Sequence, residues 1–338
     1  MNKLTQGEQR TEQDYVGKVT IPVDKLYGVN TVRGVENLTV SPLNVAHYAQ
    51  FRDAFAQVKW AAALANLDNN VVTKEQCEAI AQACQEVIAG RCDSSLLVDL
   101  MEGSGGTSTN MNFNEVIANR AQQFLGHAPG SYEVVHPNDH VNASQSTNDA
   151  YPAALKIATY AMLGPLIEEL SQLAVLFDGK ATEFADVLHL GRTCLQDAQP
   201  MRLGQLFGGY ASLTKRLAEE LAAVRDKLRT LPLGGTAIGT GFGAPAGYRA
   251  AVYSHLGKIT GVDYQAPTNS FDAMQNMDVF SRVSAELRTT AVSLADARFV
   301  VEHRVGHALA EREHLDLRSN ELERVVVAAD DDHVEPEL

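Results

Sequence analysis

The sequence predicts a mainly α protein: a long helical bundle preceded by a mixed, mostly helical N-terminal domain. Three observations predict it. Apolar residues recur at steps of three and four over long stretches after Pro152. Strand-like composition is confined to the start of the chain. Helix start and stop signals bracket the runs between.

The opening residues read as irregular structure with short strands, because VGKVTIPVDKLYG combines β-branched residues with Pro and Gly punctuation. A helix is predicted from Asn44 to about Leu67. In VTKEQCEAIAQACQEVIAG, Thr73 is placed to cap a helix, Gln76 to complete a capping box and Gly90 to stop it. The Gly-rich EGSGGTSTN then leads into a helical MNFNEVIANRAQQFLG. Beyond Pro152, Leu163, Leu166, Ile167, Leu170, Leu173 and Phe177 form one stripe. Leu206, Tyr210, Leu213, Leu217, Leu221, Val224 and Leu228 form another within Leu203 to Leu231, a helix roughly 40 Å long at 1.5 Å per residue. Such length suits a bundle completed by other subunits. Thr268 to Ala295 reads as one further long helix.

With 338 residues the chain has room for two or three domains. The expected division is 1–148, an N-terminal domain; 149–295, an incomplete central bundle; and 296–338, an atypical charged tail. The net charge of -14, without a basic stripe, argues against nucleic acid as a partner. No apolar run reaches the roughly 20 residues of a membrane span, and the N-terminus has no apolar signal-peptide core. Cys77, Cys84, Cys92 and Cys194 form no C-x-x-C pair, which favours reduced thiols and a cytoplasmic location.

Three stretches gather hydroxyls and amides ahead of predicted helices: Gly103 to Asn112, Asn142 to Asp149 within HPNDHVNASQSTNDAYP, and Gly191 to Ala198. Helix-start N–H groups lack partners and carry partial positive charge, so added Ser, Thr and Asn side chains make a neutral cradle for a carboxylate. Fixed neutral donors also suit a carboxylate that becomes a dianion when a proton leaves the adjacent carbon. The plainer alternative is ordinary capping and turn chemistry, for which these residue types are the usual choice.

GTSTNMNFNEVIANRA, HPNDHVNASQSTNDAYP, GRTCLQDAQPMRLGQ, LGGTAIGTGFGAPAGY and FDAMQNMD resemble the aspartase/fumarase superfamily, from about Arg10 to Ala295. TSTNMN and STNDAYP look like its aspartate ammonia-lyase branch. The resemblance implies a mostly α three-domain subunit, a homotetramer of long bundles, and active sites built from loops of three subunits. It implies reversible anti elimination of ammonia from L-aspartate to give fumarate, a small dicarboxylate or amino-acid substrate, no cofactor, and metal at most as an activator. It assigns substrate binding to Thr107, Ser146, Thr147, Asn148 and Thr193, and places His136 and Asn138 near the site entrance.

Two departures stand out. Cys194 occupies the position where the family's hydratases carry a histidine, which favours the ammonia-lyase; a reactive-thiol role for Cys194 is the lesser alternative. The family's serine-base loop, GSSxMPxKxN, occurs nowhere in the 338 residues, and no lysine follows Lys258. The catalytic base is therefore unassigned, and impaired activity is expected. Past Ala295 the sequence reads as a frame-shifted or replaced tail. Fumarate hydratase and a catalytically inactive oligomeric fragment are the alternatives. His303 and His307, four apart with His314 following, have metal-ligand spacing, although a solvated charged helix is the simpler account.

Overall fold

The computed structural model describes residues 8–194 and 196–300, the last three through their backbone. In chain order, β1 (Gln9–Gln13) and β2 (Lys18–Pro22) precede α1 (Val29–Leu38), α2 (Ala49–Asp68), α3 (Lys74–Ile88), α4 (Thr107–Phe124) and α5 (Thr147–Glu183). Then come β3 (Leu188–Thr193), β4 (Gln196–Arg202), α6 (Leu203–Lys227), α7 (Tyr248–Thr260), α8 (Ser270–Gln275) and α9 (Asp278–Val300). Each strand pair is an antiparallel hairpin, with Arg10 opposite Ile21 in the first and His189 opposite Met201 in the second. The fold is mainly α, as the periodicity predicts.

The chain forms two compact units. The first comprises residues up to Met162 together with Asp226–Met277; the second comprises Leu163–Arg225 and the chain from Asp278. The division within α5 falls just before Gly164–Pro165, where proline removes one N–H from the helix ladder.

The core of the first unit forms around α2, which packs against both α3 and α7, while α3 packs against α4. Ala54, Ala56, Ala61, Ala62, Ala63 and Ala65 are buried along α2, and small side chains allow close helix approach. Phe55 stacks on Phe113 of α4 at 4.5 Å between centroids. The α3 start is the predicted capping box: Gln76 N–H donates to Thr73 Oγ1 (3.2 Å) and Thr73 N–H to Gln76 Oε1 (2.9 Å). Gly90 follows the helix at φ 73°, a left-handed conformation that favours glycine. The start of α1 is anchored from α4. Buried Glu115 accepts from the N–H groups of Gly28, Asn30 and Thr31 at 2.8–3.0 Å, so a carboxylate answers the helix's unpaired donors.

In the second unit, Leu173, Phe177 and Phe184 pack with Leu203, Phe207 and Ala211 of α6. The Phe184 and Phe207 rings lie 5.5 Å apart. Leu203, Phe207, Ala211, Leu217, Leu221 and Val224 are buried along α6, so the stripe in the sequence is the helix's packed face.

Three predicted boundaries change. The helix expected from Asn44 begins at Ala49, after a single 3-10 turn capped by Asn44. The helix expected to reach Leu231 ends at Lys227. The segment expected as one helix from Thr268 to Ala295 breaks between α8 and α9. There Asn276 adopts an extended backbone, which ends α8 although its N–H still donates to Asp272 O at 2.9 Å and its Nδ2 to Asp272 Oδ1 at 2.6 Å.

Candidate active site

The first polar stretch wraps the start of α4. Gly105 and Gly106 sit at φ 69° and 91°, and a Cβ on Gly106 would lie 2.6 Å from the Tyr151 ring. The glycine therefore brings the mouth of α4 against the first turns of α5. The Glu102 carboxylate lies at this mouth and accepts from the backbone N–H groups of Gly106 and, at 3.1 and 3.2 Å, of Ser104 and Ser108. Thr107, the first residue of α4, is exposed beside it.

The second stretch runs into α5. His136 caps a π-helical turn over Pro137–Val141: its Nδ1 accepts from the N–H groups of Asn138 and Asp139, both at 3.2 Å. Ser144 takes φ 59° and turns the chain toward the helix. Ser146 Oγ accepts from Asn148 N–H at 3.2 Å, and Asp149 Oδ1 accepts from Ser146 N–H at 2.9 Å, so the helix start is capped from both directions. Asp149 Oδ2 accepts from the N–H groups of Gly234 and Thr236, both at 3.1 Å, and Asn148 Nδ2 donates to Ala237 O at 2.8 Å. These bonds tie the Gly-rich 232–247 loop to the same helix start.

Thr107, Ser146, Thr147 and Asn148 thus belong to two adjoining helix starts in one unit. Asn110, in the first turn of α4, bridges them: its Nδ2 donates to Thr147 Oγ1 (3.0 Å) and to Asn142 Oδ1 (3.1 Å). His136 and Asn138 lie on the same 136–149 segment, with His136 engaged in capping. The third stretch differs from expectation. Thr193 ends β3 opposite Gln196, and Cys194 lies in the hairpin turn at φ 47°, so neither residue stands at a helix start. The β-branched Thr193 and the alternating Leu188 and Leu190 favour a ribbon there. Both Thr193 and Cys194 are exposed and belong to the second unit.

Several site residues escape sequence reasoning. Lys59 of α2 is fully buried; its Nζ donates to Asn142 Oδ1 (3.0 Å) and Gln145 Oε1 (3.1 Å). Burial lowers its pKa to about 7, against an opposing pull from Asp149. Burial raises the Asp149 carboxyl to about 6, while its backbone hydrogen bonds and Lys59 act to lower it. The available signal was a single lysine in the apolar, alanine-rich run FAQVKWAAALA, where only a buried position fits. Among the described residues, no group of three or more His, Cys, Asp and Glu is arranged to hold a metal ion. His303, His307 and His314 lie outside the described residues.

The sequence pattern of a lyase family matches residues 17–299. The chain belongs to that lyase family. Among curated members, aspartate ammonia-lyase of Helicobacter pylori (strain ATCC 700392 / 26695) is 43% identical over 286 residues, covering 85% of this chain and 61% of the relative. Aspartate ammonia-lyase of Escherichia coli (strain K12) is 39% identical over 287 residues, covering 85% and 60%. The chain therefore spans about three fifths of the length of these relatives. A fumarate lyase:delta crystallin from Brucella melitensis, solved bound to cobalt, matches with a TM-score of 0.83 and 39% identity, over 87% of this chain and 65% of that one. Recombinant class II fumarase from Schistosoma mansoni matches at 0.80 and 31%, over 85% and 63%. This lyase family thus shares the fold as well as the sequence pattern.

Proposed function

We propose that the chain carries the carboxylate-binding part of an aspartate ammonia-lyase, which eliminates ammonia from L-aspartate in the anti sense and reversibly to give fumarate. The observation that carries this reading is the pair of adjoining helix starts, with Thr107 on one and Ser146, Thr147 and Asn148 on the other. Because Thr147 Oγ1 already accepts from Asn110, its own O–H is left to donate elsewhere. Such donors, fixed before reaction, favour a carboxylate that acquires a second negative charge. Identity to curated aspartate ammonia-lyases supports the choice of substrate.

Thr193, with Cys194 beside it, is assigned to substrate binding from a neighbouring copy, and His136 and Asn138 to the site entrance, in a cytoplasmic homotetramer. We retain the functional division 1–148, 149–295 and 296–338. These 338 residues contain no counterpart of the family's serine loop, so the chain alone lacks the group that takes the proton from carbon. Rates about 10²–10⁴-fold below those of its relatives are expected. Ultraviolet detection of fumarate formed from L-aspartate tests this: turnover matching a full-length relative refutes the impairment. Turnover of L-malate but not L-aspartate would favour the class II fumarase alternative, which rests on the fold likeness to the Schistosoma enzyme. A stable oligomer with neither activity would mark an inactive assembly protein.

A further inference from the structure

Lys59 is an unusual cation. A buried lysine normally faces a carboxylate. Here both acceptors of Nζ are neutral carboxamide oxygens, Asn142 Oδ1 at 3.0 Å and Gln145 Oε1 at 3.1 Å. The nearby carboxylate, Asp149, is committed elsewhere, accepting N–H groups from Ser146, Gly234 and Thr236. From Asn142 Oδ1 a second hydrogen bond leads to Asn110 Nδ2, and a third from Asn110 Nδ2 to Thr147 Oγ1. One cation therefore stands behind Asn110 of α4 and Thr147 of α5, two carboxamides away from a hydroxyl assigned to the substrate.

Resting on the carboxylate-binding reading above, we propose that Lys59 is a positioning residue for this site, orienting the Asn142–Asn110–Thr147 chain and taking up a proton when a carboxylate binds. Lys59 and Asn110 both donate to Asn142 Oδ1, so the protonated lysine fixes that carboxamide, and its positive charge adds to the field that an anion meets at the helix starts. An anion at the helix starts stabilises the buried charge in return, and this coupling is reciprocal.

Two groups beside the site titrate near neutrality: Lys59 and, at the acid end, Asp149, whose carboxyl burial raises to about 6. Asp149 from α5 and Cys84 from α3 are the groups that act on it. Burial holds the Cys84 thiol far above its ordinary range, so it stays neutral. Tyr248 from α7, which feels Asp149, is held protonated in the same way. In the π-helical turn, burial lowers the pKa of His140, with Asp139 raising it and His136 lowering it further.

Calorimetric titration of fumarate into the full chain tests the proposal, between about pH 6 and 9 and in two buffers of different ionisation enthalpy. Proton uptake is expected, with the Kd weakening by up to about tenfold per pH unit above neutrality. In K59M this slope and the uptake are lost; in K59R, whose charge is permanent, binding remains without the slope. Should both variants fail to fold, the wild-type uptake decides, because uptake by histidine fades above about pH 7.5 and uptake by Lys59 does not. Fumarate binding without proton uptake, or a slope surviving in K59M, overturns the role of Lys59 and leaves the carboxylate site standing. No fumarate heat at any pH overturns the carboxylate site, and the role of Lys59 with it.

Discussion

At the residue scale, the polar loops divide into side chains that build the helix starts and side chains left for a ligand. Asp149, Asn110 and His136 are engaged with the protein: Asp149 joins α5 to the 234–236 loop, Asn110 joins α4 to α5, and His136 caps the turn before α5. Thr147 contributes an O–H that Asn110 does not consume. Replacing it with valine keeps the shape and removes one hydrogen bond to a charged group, worth about 1.5–3 kcal/mol. T147V should therefore bind fumarate roughly 10- to 100-fold more weakly and, because it strips buried Asn110 Nδ2 of an acceptor, lower the melting temperature by a few degrees. Calorimetry beside thermal denaturation checks both.

Aspartates away from the site set the acid limit. Hydrogen bonds from the N–H and hydroxyl of Ser41, joined by the N–H groups of Val40 and Met101 at 2.7 Å, lower the Asp99 carboxyl to about 2 against the opposing effect of burial. Arg33 lowers Asp14 to about 2 through a paired hydrogen bond. In each case the folded pKa lies below the unfolded one, so the contribution is complete above about pH 4 and lost as pH falls toward 2. Urea midpoints measured from pH 5 to pH 3 should fall steeply in the wild-type chain. In D99N they should start lower and fall less.

At the element scale, glycine decides how two helix starts meet. Gly106 stands in the left-handed region with the Tyr151 ring against it. G106A combines about 1–3 kcal/mol of backbone strain with a clash against that ring. A melting-temperature loss of several degrees is expected, accompanied by weaker fumarate binding, because Thr107 is the next residue. G105A is the control: it carries a similar positive φ with nothing within 4 Å of the added Cβ, so it should show the strain alone. The α8–α9 break belongs to this scale too. An asparagine after a short helix reads equally as interior or cap, and only the extended backbone at Asn276 marks the stop.

At the scale of the whole molecule, the second unit offers apolar side chains to solvent. On α5, Val175 is 69% exposed and Leu176 48%, and on α9 Val292 is 58% exposed. Association with further copies would cover them, in keeping with the proposed homotetramer. Sedimentation of the full chain should give a species heavier than the 36.6 kDa monomer. V175E and V292E should shift it toward the monomer. A monomer at every concentration would remove the basis for borrowing Thr193 from a neighbour.

The sequence by itself determined the helical class, the α3 capping box, the α6 stripe, and the membership signalled by its long ordered motifs. All of these are local: periodicity, cap chemistry and contiguous motif are written in neighbouring residues. It also marked Thr107 and Ser146–Asn148 as polar helix starts. Only the tertiary structure decided that those two starts adjoin, that Asn110 bridges them, and that Lys59 lies buried behind them, more than eighty residues from its partners Asn142 and Gln145. It decided as well that Thr193 stands in a ribbon. The physical reason is that a hydrogen bond across such a separation leaves no trace in local pattern: a lysine on α2 and an asparagine before α5 acquire their roles only when the packing of α2 buries the lysine against the asparagine.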